Sequence, residues 1–126
     1  ATVNAVRARM EQSPVQTGAI IEQIGTLVRQ ARVYVEAGDV ASLGRACTQN
    51  QSLLMQLGVS TPKLENLVNA AINAGALGAK LTGGGGGGNI LALVDPEIQV
   101  KVMDALYQAG AERVFPATVR KTADYE

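Results

Sequence analysis

The chain has 126 residues, of which 47% are hydrophobic, and eleven basic side chains balance eleven acidic ones. That length allows one domain with a sizeable core, and the balanced charge excludes a general attraction to nucleic acid. The chain has no His, no Trp and a single cysteine, Cys47. This composition argues against a disulfide, a zinc cluster and base-stacking surfaces, and it favours a reducing cytoplasm. No apolar run is long enough to cross a membrane.

Helical periodicity of the apolar residues predicts four helices in the first part of the chain. The first covers about residues 3–10, the second 14–37 and the third 40–57, and the fourth runs from Pro62 to a stop at Gly75. Each begins at a side chain that can accept a hydrogen bond from a free backbone N–H, namely Thr2, Ser13, Asp39 and Thr61. Cys47 lies on the apolar side of the third helix, where a free cysteine is most simply a small buried residue.

The second part of the chain predicts a small sheet. Residues 79–82 and 89–94 are predicted strands, and the second is apolar on both faces, which is typical of a central strand. A helix is predicted from Asp95, as its cap, to Gly110. Residues 114–120 are predicted as a last strand, and Pro116 places it at an edge or a bulge. The sequence therefore predicts an α+β fold, with helices packed on one face of a small antiparallel sheet of about three strands.

Six consecutive glycines, residues 83–88, connect the first two predicted strands. Such a run is entropically costly to order, so it fits a place where a Cβ would prevent a close approach of the backbone. Bare N–H groups in a tight loop can approach a phosphate, whereas a flexible linker is the alternative interpretation. A dinucleotide-binding loop requires a helix after the glycines, and a Walker loop requires Lys-Ser or Lys-Thr. Asn89-Ile90 follows here, which excludes both motifs.

The glycine run and its flanks resemble the third signature motif of the GHMP kinases. The resemblance lies in Gly75-Ala76-Leu77-Gly78-Ala79-Lys80-Leu81-Thr82-Gly83 and, after the glycines, in Ile90-Leu91-Ala92-Leu93-Val94. Asn50-Gln51-Ser52-Leu53-Leu54 also resembles the C-terminal domain of these enzymes, most of all in the mevalonate kinase family. Two positions depart from the pattern. Gly84 stands where the family usually has Ala, and Asn89 stands where mevalonate kinases often have Cys.

The resemblance implies a ferredoxin-like α+β sandwich, the C-terminal domain of a longer two-domain kinase that uses ATP and Mg. It implies a fourth strand before Thr2, so that this chain would expose an unpaired sheet edge. The catalytic residues and the main phosphate loop would lie in the N-terminal half, which is the expected partner. We find no Pro-x-x-x-Gly-Leu-Gly-Ser-Ser-Ala stretch in this chain. The implied reaction is phosphorylation of a small-molecule acceptor, most simply mevalonate, in isoprenoid precursor synthesis.

The resemblance assigns the candidate site residues to two groups. Lys80, Thr82 and the glycines Gly83, Gly84, Gly85, Gly86, Gly87 and Gly88 would line the phosphate end of the cleft. Asn50 and Gln51 would face the acceptor. No residue of this chain is assigned a catalytic or metal-binding role. The alternatives are a solvated strand-edge lysine for Lys80 and exposed polar residues of a helix for Asn50 and Gln51.

Other functions stay open at this stage. The parent protein could instead be a phosphomevalonate kinase, a homoserine kinase or a galactokinase. A different class is an anion-binding or interaction module without catalysis, for which the glycine loop and the missing phosphate loop both argue. A homodimer is a further open partner.

Overall fold

The structure, a computed structural model, describes residues 2–82 and 88–118. Five α-helices and two strands are found in this part of the chain. They are α1 (Thr2–Gln12), α2 (Pro14–Ala37), α3 (Val40–Leu57), α4 (Pro62–Asn73), β1 (Gly78–Thr82), β2 (Asn89–Leu93) and, after a short 3-10 turn at Pro96–Ile98, α5 (Gln99–Gln108).

The predicted starts of α3 and α4 are confirmed by their capping hydrogen bonds. Ser42 N donates to Asp39 Oδ1 and Leu64 N donates to Thr61 Oγ1, each at 3.2 Å. These bonds satisfy N–H groups that have no partner within the first turn of a helix. Hydrogen bonds from Ser42 hold the pKa of the Asp39 carboxyl below its ordinary value.

The corner between α1 and α2 differs from the prediction, because Ser13 makes no side-chain capping bond. The carbonyl oxygen of Arg9 instead accepts two hydrogen bonds there, from Ser13 N at 2.7 Å and from Thr17 Oγ1 at 3.1 Å. Thr17 is buried, so this hydroxyl braces the corner from the inside. Pro14 has no N–H and breaks the hydrogen-bond ladder between the two helices at this point.

The hairpin of β1 and β2 is antiparallel, with Gly78 opposite Leu93 and Thr82 opposite Asn89. Side chains alternate along a strand, so the hairpin has two faces. Ala79, on one face, is fully buried against α4 and α5 in a cluster with Leu67, Val68, Ala71, Val102 and Leu106. Leu81, on the same face, is buried with Leu57, Val59 and Leu64. The predicted packing of helices on one face of an antiparallel sheet is therefore confirmed.

Helix α3 runs along β1 and holds both ends of that strand. At the first end, a Cβ on Gly44 would overlap the carbonyl oxygen of Leu77, and a Cβ on Gly78 would overlap the carbonyl of Gly44. The two backbones touch because both positions are glycine. At the second end, Leu81 N donates to the side chain of Gln51. On its other side α3 packs against α2 through a cluster of Leu27, Ala46 and Leu53.

Three details of the prediction are wrong after β2. Residues 114–118 of the predicted last strand are irregular, and Val114 N donates to Tyr107 Oη at 3.2 Å. This bond ties the segment to α5, and Pro116 cannot donate to a sheet. Asp95 makes no side-chain capping bond, so a 3-10 turn precedes α5. Val100, predicted on the apolar side of that helix, is 70% exposed. The described sheet has two strands where about three were predicted, and the fourth strand that the resemblance implies stays a prediction.

Candidate functional site

The second face of the hairpin is the candidate site, because α4 and α5 do not cover it. Lys80 lies opposite Leu91 and Thr82 lies opposite Asn89, so these four side chains share this face. Lys80 and Thr82 are half-buried, whereas Asn89 and Leu91 are exposed. The face thus presents a cation, a hydroxyl and an amide at the end of the hairpin where the glycine run begins. The predicted role of Lys80 and Thr82 at the phosphate end of a cleft stays a prediction.

The positive charge of Lys80 lies close enough to α3 to affect the thiol of Cys47. Burial raises the pKa of the Cys47 thiol, and the positive charge of Lys80 partly offsets that rise. Cys47 is half-buried, which partly matches the small buried residue that the sequence predicted. Within residues 2–82 and 88–118, no carboxylate forms an ion pair with Lys80.

Gln51 is buried in the interface between α3 and β1. Its Oε1 accepts a hydrogen bond from Leu81 N at 2.8 Å, and its Nε2 donates to Ser60 Oγ at 3.2 Å. Only 4% of Gln51 is exposed, so the interpretation as an exposed polar residue of the helix is wrong. The side chain contacts the strand that carries Lys80 and Thr82, and both ends of its amide are used within the domain.

Asn50, the preceding residue, is equally buried but differs in its hydrogen bonding. It is 5% exposed, and its Oδ1 has no hydrogen-bond partner within the described part of the chain. Leaving a buried polar atom without a partner costs about 1–3 kcal/mol, so such atoms in native structures require an explanation. The exposed-helix interpretation of Asn50 is also wrong. Its side-chain oxygen lies one helical turn after Cys47 and is buried without a donor among the described residues.

The glycine run itself is described only at Gly88, which is half-buried beside Asn89. Gly83, Gly84, Gly85, Gly86 and Gly87 lie outside the described residues, so their predicted contact with phosphate stays a prediction. The structure does show what precedes and follows the run. Thr82 and Asn89 are paired across the hairpin, so the two ends of the run are held together by antiparallel strands.

A groove between α2 and α3 was not predicted from the sequence. It has a volume of about 630 Å³ and lies on the side of α3 that faces α2. Its lining residues are Ala19, Glu22, Gln23, Thr26, Leu27, Gln49, Ser52 and Leu53. None of these is a predicted site residue. The only sequence signal for it is a set of short polar residues at helical spacing on two adjacent helices, which is also the pattern of any solvated surface.

None of the helices within residues 2–82 and 88–118 is long and apolar enough to cross a membrane. The same residues contain no group of three or more His, Cys, Asp or Glu side chains that could hold a metal ion.

Comparison with known proteins identifies the class to which this arrangement belongs. The family model described as "GHMP kinases C terminal" matches residues 31–112. The match covers α3, α4, the hairpin and α5, together with the end of α2. The chain belongs to the GHMP kinase C-terminal family.

The similar proteins are mevalonate kinases. The chain is 44% identical over 113 residues to mevalonate kinase of Pyrococcus horikoshii, which covers 86% of this chain and 33% of that protein. It is 45% identical over 93 residues to mevalonate kinase of Aeropyrum pernix, covering 74% of this chain and 28% of the relative. The crystal structure of L. major mevalonate kinase in complex with R-mevalonate superposes with a TM-score of 0.78 at 32% identity, over 85% of this chain and 33% of the other. The chain thus spans about a third of the length of these relatives.

Proposed function

We propose that this chain is the C-terminal domain of an ATP-dependent kinase that phosphorylates the hydroxyl group of mevalonate. The observation that carries the proposal is the open hairpin face, where Lys80 and Thr82 stand at the start of the glycine run. The similarity to mevalonate kinases supports the choice of acceptor. The parent enzyme would act in the cytoplasm, in isoprenoid precursor synthesis.

Lys80 and Thr82 would bind the phosphate groups of ATP. A lysine ammonium without a paired carboxylate in the described residues is suited to phosphate, and a threonine hydroxyl can donate a hydrogen bond to a phosphate oxygen. ATP supplies the phosphoryl group that is transferred. Catalysis of this transfer consists mainly of positioning the reactants and stabilising charge, so a lysine held in place by a β-strand would stabilise the negative charge of the phosphates. The N–H groups of Gly83 to Gly88 would approach the same phosphates.

Asn50 would serve the acceptor side of the cleft, because the described residues leave its side-chain oxygen without a hydrogen-bond donor. A hydroxyl group can donate to such an oxygen. Gln51 would not contact the acceptor but would support β1, since its amide is already bonded to Leu81 and Ser60. The described residues provide no cluster of metal ligands, so we assign Mg²⁺ to none of them. The remaining two thirds of the kinase would supply the rest of the active site.

The test is the replacement of Lys80 by Met in the full-length protein, with Lys63→Met as the matched control. Lys63 is an exposed lysine in the first turn of α4, outside β1 and β2. Loss of a charge-assisted hydrogen bond to phosphate is worth about 1.5–3 kcal/mol, which corresponds to a rise in KM for ATP of roughly tenfold or more. The control should leave KM for ATP unchanged. Equal kinetics of the two variants would contradict the assignment of Lys80.

The acceptor is tested separately, by offering the wild-type full-length protein mevalonate, phosphomevalonate, homoserine and galactose. We expect phosphorylation of mevalonate. Preference for another of these acceptors would retain the kinase and reject the mevalonate assignment. Absence of phosphoryl transfer to any of them would favour the binding module without catalysis.

A further inference from the structure

We propose that Gln51 is a positioning residue that fixes Lys80 and Thr82 against the phosphate groups through the backbone of β1. The inference rests on the proposed function of the hairpin face. Leu81 lies between Lys80 and Thr82 in the chain, and its N–H donates to Gln51 Oε1 at 2.8 Å. Holding one backbone N–H therefore sets the direction of the two neighbouring side chains.

The need for such a bond follows from the position of β1 in the described sheet. The strand has one neighbouring strand, β2, so one of its edges carries backbone groups without a strand partner. A buried backbone N–H without a partner would be costly. The amide of Gln51 takes the place of a neighbouring strand at Leu81. It couples α3 to β1 at the last residue but one before the glycine run.

The two ends of Gln51's amide are held differently, which makes its orientation definite. Its Oε1 faces the N–H of Leu81, and its Nε2 faces the hydroxyl of Ser60 in the turn before α4. A carboxamide that donates at one end and accepts at the other cannot reverse without losing the acceptor that Leu81 N–H requires. The N–H of Leu81 can only donate, so it selects the orientation in which the oxygen points to β1, and the hydroxyl of Ser60 holds the other end of the amide.

The strand is also fixed at its other end, by the contact between Gly44 and Gly78. Gly44 and Gln51 are seven residues apart on α3, which corresponds to about 10 Å along a helix. Contact at two separated points prevents β1 from sliding or rotating against α3. Misplacement of a binding group by about 1 Å can reduce the rate of an enzyme by roughly a hundredfold, so this anchoring matters for a residue that contacts phosphate.

The first experiment measures amide hydrogen exchange of Leu81 in this chain, which does not depend on enzyme activity. Gln51→Met keeps the length of the side chain and removes the amide, and Gln49→Met is the matched control on the exposed side of the same helix. We expect exchange at Leu81 to accelerate about tenfold or more in Gln51→Met and to stay unchanged in the control, since local protection reports the hydrogen bond. Unchanged protection of Leu81 in Gln51→Met would overturn the proposal.

The second experiment measures kinetics of the full-length protein carrying the same substitutions. A variant that only loses stability has less active enzyme and the same KM for ATP, whereas misplaced phosphate ligands raise KM for ATP. We expect Gln51→Met to raise KM for ATP about tenfold, the equivalent of one lost hydrogen bond, with a smaller change in KM for mevalonate. A fall in kcat with unchanged KM for ATP would overturn the positioning role.

A third variant, Ser60→Ala, keeps the result decisive if Gln51→Met fails to fold. It removes the partner of Nε2 and leaves the acceptor for Leu81 in place, so KM for ATP should rise by about two- to threefold, less than for Gln51→Met. No change in Ser60→Ala, in either exchange or KM, would contradict the contribution of Ser60 to holding the Gln51 amide. If wild type transfers no phosphate, the proposed function fails, and exchange at Leu81 still shows whether Gln51 holds the strand.

Discussion

The side-chain amides of Asn50 and Gln51, adjacent on α3, differ in whether their hydrogen bonds are satisfied. Gln51 is bonded at both ends, whereas Oδ1 of Asn50 has no partner within the described residues. Removing a satisfied buried group leaves its partners unpaired, while removing an unsatisfied one takes away a desolvation penalty. Substitution of these two neighbours by Leu should therefore change stability in opposite directions.

We predict that Asn50→Leu raises the free energy of unfolding of this chain by about 1 kcal/mol, because Leu has a similar shape and no buried polar atom. In the full-length kinase the same change should raise KM for mevalonate. Gln51→Leu should instead lower the free energy of unfolding by about 1–3 kcal/mol, because Leu81 N–H loses its acceptor. Urea denaturation followed by circular dichroism measures both. A less stable Asn50→Leu variant would mean that an ordered water or another internal group already satisfies Asn50.

The sequence could not reveal the roles of these two residues on its own. A polar residue on a helix is usually exposed, and the apolar pattern of α3 defines its buried side through residues such as Leu53 and Leu57. The burial of Gln51 could be predicted only if its hydrogen-bond partner were known, and that partner, Leu81, is 30 positions away in the chain. The family resemblance did select Asn50 and Gln51 as candidate site residues, but it did not predict that they are buried.

At the level of elements, local signals were reliable where a side chain caps its own helix. Asp39 and Thr61 make the expected bonds because the capping side chain and the backbone N–H that donates to it are three residues apart. The prediction failed where the outcome depended on tertiary contacts. The segment from Val114 has strand-like composition, but Tyr107 binds its backbone and no strand of the described sheet is beside it. β-propensity describes a pleated, half-buried surface and needs a neighbour to be realised.

The contact between α3 and β1 gives a sharp prediction at this scale. Gly44→Ala should lower the free energy of unfolding by about 2 kcal/mol or more, because the new Cβ would overlap the carbonyl of Leu77 and force the backbones apart. Gly18→Ala on α2 is the control, since a Cβ there meets no atom within 4 Å. It should stabilise the chain by about 0.5–1 kcal/mol, the usual gain of Ala over Gly within a helix. Equal effects of the two substitutions would disprove the close contact.

At the scale of the whole molecule, the described site is only part of what phosphoryl transfer requires. In the proposed function Lys80 and Thr82 bind phosphate, but phosphoryl transfer also needs an activated acceptor and metal ions that bridge the phosphates. The chain covers about a third of each similar mevalonate kinase. The family was predictable from the glycine motif and its flanks, and the helices and the hairpin were predictable from the apolar pattern, whereas the burial of Asn50 and Gln51 depends on contacts between distant parts of the chain.

We therefore predict that the 126-residue chain alone does not phosphorylate mevalonate. Release of ADP in the presence of ATP, Mg²⁺ and mevalonate should equal the background without protein, and the full-length protein should be active under the same conditions. Turnover by the isolated chain that disappears in Lys80→Met would contradict this prediction, because the dependence on Lys80 would exclude a contaminating kinase.

The two facing glycines, Gly44 and Gly78, also restrict how this sequence can diverge. In most cores a larger residue on one side can be compensated by a smaller one on the other, but here neither position has a side chain to give up. A mutation at either glycine can be accommodated only by separating α3 from β1, and that separation would draw Gln51 away from Leu81. The pair should be inherited as a unit for as long as the hairpin face is under selection.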